Sequence, residues 1–205
     1  MTKEERAKAG PKNGAIATAT VSLDPLGGVT VVIASAPAGQ GHRTVCAQVV
    51  ADVLGISPEQ VTVNVDFDTQ KDAWSVASGN YSSRFAGAVA GTVHLAACKL
   101  RNKLARIAAD RLNCSPENIE FSDGKVFDKS NLDAALPFTR LAAGPHWSPG
   151  LVAADIEPGL RETVFWTPEQ LTAPDEQDRV NTSAAYGFAF DICAVEVDRN
   201  TGKVR

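Results

Sequence analysis

Residues 14–23, GAIATATVSL, alternate small and β-branched side chains, and residues 29–35, VTVVIAS, take up the pattern again after the turn-forming DPLGG. Two such runs joined by Pro/Gly chemistry predict a β-hairpin. Beyond APAGQG the period changes. Val45, Val49, Val50, Val53 and Leu54 fall at helical spacing, and Gly55 stands where a helix would end. The chain restarts at Ser57-Pro58-Glu59, VTVNVDF (61–67) alternates as a strand, and DTQKDAWSVASGNYSS reads as a loop. An amphipathic helix is predicted over 84–112, with Val89, Val93, Ala97, Leu100, Leu104, Ile107 and Ala108 on one stripe. Its cations Lys99, Arg101, Lys103, Arg106 and Arg111 read as a solvated face that offsets the helix dipole.

Leu54-Gly-Ile-Ser-Pro-Glu-Gln-Val61 is echoed by Leu112-Asn-Cys-Ser-Pro-Glu-Asn-Ile119, each ending a helix and opening a strand. The second strand, IEFSDGKVFD, contains Asp123-Gly124, a strong hairpin signal. From 131 to 179 the chain is rich in Pro, Gly and Trp with little periodicity, which predicts long irregular connections and one short strand near Val164. At the carboxyl end AAYGFAFDICAVEVD alternates as a strand, Arg199-Asn-Thr-Gly202 turns, and Lys203-Val204-Arg205 begins a return arm. A hairpin lacking most of one arm leaves an unpaired edge, so the expectation is a partial chain or a sheet finished by a partner. The expected organisation is a charged segment (1–13), an α+β subdomain (14–130), an irregular connecting region (131–183) and a terminal strand and turn (184–205).

Composition narrows the function classes. With 44% hydrophobic and 21% charged residues the chain is an ordinary folded one, and 20 Lys+Arg against 24 Asp+Glu leave no excess positive charge for nucleic acid. The charged start, MTKEERAKAGPKNG, and the lack of an 18-residue apolar run predict neither signal peptide nor membrane span, hence a cytoplasmic location. Cys46, Cys98, Cys114 and Cys193 lie far apart without a C-x-x-C pair, which predicts buried free thiols rather than a metal site.

Candidate chemistry gathers at two loop-to-helix junctions, where unpaired N–H groups and a positive dipole end favour anions. The first is Ala38-Gly39-Gln40-Gly41-His42-Arg43-Thr44; its glycines allow close backbone approach, and Gln40 offers donor and acceptor. The second is Ser78-Gly79-Asn80-Tyr81-Ser82-Ser83-Arg84, with hydroxyls for capping or phosphate contact and a fixed charge at Arg84. Two convergent anion sites would suit a pyrophosphate. The plain alternatives are a β-to-α turn at Gly39, helix caps at Ser82 and Ser83, and structural roles for His42, His94 and His146. A dinucleotide fingerprint fits poorly, because Thr44 stands where a third Gly is required.

At these residues the chain resembles a known family. Residues 38–44, then Ala47-Gln48-Val49-Val50-Ala51-Asp52-Val53-Leu54-Gly55-Ile56, then Asp68-Thr69, then Ser82-Ser83-Arg84 look like the cofactor-binding part of the xanthine dehydrogenase and aldehyde oxidase family, in its molybdopterin-binding large subunit. Val195-Glu196-Val197-Asp198-Arg199-Asn200-Thr201-Gly202-Lys203-Val204 resembles the strand and turn shortly before that family's catalytic section. The resemblance implies an α+β molybdenum-cofactor domain of mixed strands and two main helices, incomplete at its C-terminal hairpin. It implies a molybdopterin, in bacteria often the cytosine dinucleotide form, and hydroxylation of a carbon beside nitrogen or a carbonyl with oxygen from water. Gln40 would hydrogen-bond an oxygen ligand of molybdenum; Gly39, Gly41, His42 and Thr44 would line the cofactor; Thr69, Ser82, Ser83 and Arg84 would contact its phosphates or nucleotide.

Two departures stand out. Phe85 and Arg43 differ from the residue types common in relatives, and the catalytic Gly-Glu pair occurs nowhere in the chain. Neither Glu162 nor Glu196 matches a catalytic motif. The expectation is therefore a component of a molybdenum-dependent oxidoreductase that binds the cofactor, lacks the catalytic base and is inactive alone. Its partners would be the remaining large-subunit part and iron–sulfur and FAD subunits, with no nucleic acid and no membrane. The competing readings are a binding or assembly module of the same fold without a metal centre, and a pyrophosphate-nucleotide enzyme of unrelated chemistry.

Overall fold

The computed structural model describes residues 2, 4, 5, 8, 16–66, 68, 70 and 79–205. Most of the charged segment 1–13, together with Phe67 and Thr69, lies outside the described residues.

The alternating runs form β1 (Ala17–Leu23) and β2 (Val29–Ile33), antiparallel with Leu23 opposite Val29. Their turn is built by Asp24, whose carboxylate accepts the N–H groups of Leu26 and Gly28. Helix α1 (His42–Leu54) then crosses over to β3 (Val61–Asn64), which pairs parallel with β2. The sheet order is β3-β2-β1-β7, where β7 (Arg161–Trp166) pairs antiparallel with β1. The long second helix opens with a π-helical turn, Phe85–Val89, and continues as α2 (Ala90–Leu112). Apolar residues of α1 and α2 join Val21, Val31 and Ile33 in one buried core, leaving Cys46, Val50, Leu54, Leu100 and Leu104 without exposure.

The repeated sequence marks a repeated device. α1 ends at Gly55 (φ 63°) and α2 at Asn113 (φ 53°), both left-handed, and each is followed by a 3-10 turn of Pro-Glu-X and a strand. In the second copy the strand is β4 (Ile119–Ser122), which turns at Asp123 and Gly124, both at positive φ, into β5 (Lys125–Asp128).

Three expectations need correction. Residues 131–147, read as irregular, form β6 (Asn131–Pro137), which completes a second sheet β4-β5-β6, and α3 (Phe138–Trp147). Pairing with β5 supplies an order that the short, mixed pattern of β6 does not announce, and Pro145 inside α3 masks a helix seated through Phe138, Leu141 and Ala142. The α2 cations are tethers as well as a solvated face: Arg101 meets Glu120 at 2.8 Å, Lys103 pairs with Glu162, and Arg106 pairs with Asp155. All four thiols are free, but only Cys46 is fully buried, while Cys193 is exposed.

At the carboxyl end a short ladder joins Val197 to Val204, and the backbones of Glu196 and Arg205 exchange hydrogen bonds. A fourth correction concerns the terminal strand expected from residue 184: among the described residues, 184–196 belong to no strand, because no other strand pairs with them, and of the expected run only Val197 makes a bridge. Tyr186, Phe188, Phe190 and Ile192 are largely exposed there. Among the described residues no helix is long and apolar enough to cross a membrane.

Candidate functional site

The structure brings the two junctions together. The connection from β2 to α1, residues 34–41, runs beside the segment 79–84 and is tied to it twice. Asn80 accepts from the Ser35 hydroxyl at 3.0 Å and donates through Nδ2 to the Ala36 carbonyl. Where the two helical elements start, the His42 ring lies flat on the Phe85 ring, centroids 3.6 Å apart and planes inclined by 8°.

Within this frame the first junction is open. Gly39 and Gly41 take φ values of 100° and 74°, and a Cβ at either would meet nothing within 4 Å. Gly41 caps α1, and among the described residues no side-chain cap hydrogen bond is made to its first turn. Gln40 is exposed, and its Oε1 accepts the Ala38 N–H at 2.6 Å, so its amide NH2 is the group left to donate. Thr44 is exposed one turn into the helix.

The second junction is partly turned inward. Ser83 is exposed with φ 51°, a conformation that costs a non-glycine residue energy. For Ser82 only the backbone is described, in the 3-10 turn Tyr81–Ser83. Among the described residues no side chain caps that turn or the helix that follows. Arg84 is buried, and its guanidinium donates to the Ile16 carbonyl at 3.2 Å. Burial lowers its pKa while the charge of Tyr81 opposes that shift.

His42 is 1% exposed, and among the described residues neither ring nitrogen has a hydrogen-bond partner. Burial lowers its pKa from the ordinary 6.5; the Ser35 backbone opposes the shift, without full hydrogen-bond geometry. The unfolded chain therefore binds a proton at this site more readily than the folded one. Stability is fully present above about pH 6.5 and is lost as the pH falls below it. Denaturant midpoints measured from pH 8 to 5 should show this loss, and His42→Phe should flatten that part of the profile; an unchanged profile would refute the assignment.

The donor set is one of backbone N–H groups, a glutamine amide and open glycine surface, which suits an oxygen-rich anion. A family model described as a molybdopterin cofactor-binding domain matches residues 2–205. The chain belongs to this family. The domain is 38% identical over 149 residues to the nicotine 6-hydroxylase large subunit of Paenarthrobacter nicotinovorans, an alignment spanning 73% of the domain and 18% of that protein. It is 26% identical over 185 residues to the carbon monoxide dehydrogenase large chain of Hydrogenophaga pseudoflava, spanning 90% of the domain and 21% of that chain. The crystal structure of quinoline 2-oxidoreductase from Pseudomonas putida 86 superposes with a TM-score of 0.69 at 30% identity, over 76% of the domain and 19% of that chain. The molybdopterin-binding domain thus spans about a fifth of the length of these relatives, and its α+β architecture is that of the matching part of quinoline 2-oxidoreductase.

Asn80 and Phe85 are the site residues that sequence reasoning left unassigned. No spacing rule connects Asn80 with Ser35 or Phe85 with His42, because each pair is distant in the chain and meets only through the fold.

Proposed function

We propose that this domain holds a molybdopterin within the large subunit of a molybdenum hydroxylase, gripping it between residues 39–44 and 82–84. The observation that carries the reading is the pairing of an open, uncapped helix start with a second anion-suited segment, tied together by Asn80 and by the His42–Phe85 stack. When bound, such a cofactor supplies two-electron oxidation of a carbon beside a heteroatom, with oxygen drawn from water. Gln40 donates its amide N–H to an oxygen of the cofactor. Gly39 and Gly41 let the ligand reach the backbone, while the first-turn N–H groups up to Thr44 face its negative charge. Ser82, Ser83 and Thr69 contact its phosphate or nucleotide, and Arg84 contributes positive charge from inside the fold.

The nucleotide is the cytosine dinucleotide form. Iron–sulfur and FAD groups reside on partner chains, in keeping with relatives that are named as large subunits or large chains. The general base comes from another part of the subunit, because no Gly-Glu pair occurs here. The domain alone is inactive.

Coexpression with a cofactor-assembling host, followed by pterin fluorescence and molybdenum analysis per chain, tests this. The wild-type chain should retain both, and Gln40→Ala should weaken retention about tenfold through loss of one hydrogen bond to a charged group. Absence of pterin from the wild-type chain would overturn the reading.

A further inference from the structure

The His42–Phe85 contact is an unusual way to fill a core. An imidazole with, among the described residues, no hydrogen bond of full geometry at either nitrogen is costly to bury, and a purely apolar side chain would fill the volume without that cost. The stack is also nearly eclipsed, with centroids at 3.6 Å and planes within 8°. Two phenyl rings resist that arrangement, since their negative faces repel and they prefer offset or edge-to-face packing. A neutral imidazole, whose electron distribution is dipolar, lies flat on a phenyl ring at this distance. The parallel geometry suits one imidazole and one phenyl ring better than two phenyl rings.

The position of the contact gives it consequence. His42 is the first residue of α1, directly after Gln40 and Gly41, and Phe85 directly follows Arg84 at the start of the π-helical turn. The ring-to-ring distance therefore sets how far the glycine-rich turn stands from residues 81–84. Both ring nitrogens are buried, so the ring offers the two segments its flat face as a spacer.

We propose that His42 is a positioning residue: stacked on Phe85, it fixes the separation of the two segments so that both grip one ligand. This rests on the reading of those segments as a single cofactor cradle. Asn80 ties them independently through Ser35 and Ala36, so a disturbed stack shifts the cradle without dissolving the fold.

The test uses the full chain, coexpressed as above, in four forms: wild type, His42→Phe, Phe85→His and the exchange His42→Phe/Phe85→His. Two readouts are taken, pterin retained per chain and hydrogen exchange of residues 39–44 and 81–85 in the cofactor-free chain. Each single variant should lose about tenfold in retention and exchange faster in both segments together, while the exchanged pair recovers to within about threefold of wild type. Ile107→Val, in the core of α2 away from the stack, serves as a control that lowers the melting temperature and leaves retention unchanged. If His42 merely fills volume, His42→Phe retains pterin like wild type, which overturns the inference. Failure of the exchanged pair to recover, with its melting temperature intact, overturns it equally. Should a single variant misfold, the recovery of the exchanged pair and the hydrogen exchange of wild type against that pair decide the matter. A wild-type chain without pterin overturns the cradle reading itself, an outcome distinct from a wild type that retains pterin no better than His42→Phe.

Discussion

Gly55→Ala is expected to destabilise the domain by about 3 kcal/mol or more, lowering its melting temperature by roughly 6–12 °C for a chain of this size. Two effects add. Gly55 closes α1 in the left-handed region (φ 63°, ψ 36°), where its N–H reaches the Ala51 carbonyl, and an alanine there costs roughly 1 kcal/mol. In addition, a Cβ would lie 2.4 Å from the carbonyl carbon and oxygen of Phe121 and 2.6 Å from the amide nitrogen of Ser122. These are backbone atoms of the β4–β5 hairpin, which is held against the helix end by the Gly124 N–H to Gly55 carbonyl bond at 2.7 Å. They have no rotamer to yield, so the hairpin must lift away from α1. Asn113 holds the equivalent left-handed position at the end of α2. Asn113→Ala should therefore show the conformational cost alone, about 1 kcal/mol. Thermal unfolding followed by circular dichroism separates the two; equal shifts in both variants would contradict the steric account.

Self-association of the isolated domain at micromolar concentration is the second large expected effect. Tyr186, Phe188, Phe190 and Ile192 stand at every second position of one stretch without assigned secondary structure, with Phe188 99% and Ile192 85% exposed. Such a run offers unpaired backbone groups and one apolar face together, the combination that templates strand pairing between chains. Phe188→Lys/Phe190→Lys should abolish the association without shifting the melting temperature, because neither side chain contributes to the core. Sedimentation velocity over a concentration series, run with reductant because Cys193 is exposed, provides the measurement. A wild-type domain that stays monomeric throughout would refute the prediction.

Legibility differed from element to element for physical reasons. The β1–β2 hairpin, α1 with its Gly55 cap, the Asp123-Gly124 turn and the long helix could be read directly, because each is specified by local periodicity and turn chemistry. The duplicated Ser-Pro-Glu restart likewise matched a duplicated structure. β6 and α3 escaped because their order comes from pairing with β5 and from packing. The salt links of α2 escaped because charge on a helix surface does not reveal which acid will stand opposite. At the site, Gly39, Gln40 and Gly41 were legible as an open, glycine-bearing turn, whereas the inward burial of His42 and Arg84 was not.

What the sequence by itself determined is the set of local parts: a hairpin, two helix starts preceded by loops, a left-handed cap and an acidic composition. These depend on interactions within a few residues, which composition and spacing record. Only the tertiary structure decided that the two helix starts meet, through Asn80 on Ser35 and Ala36 and His42 on Phe85. Contacts between distant residues follow from how α1 and α2 share one core over the sheet, and no local pattern encodes that.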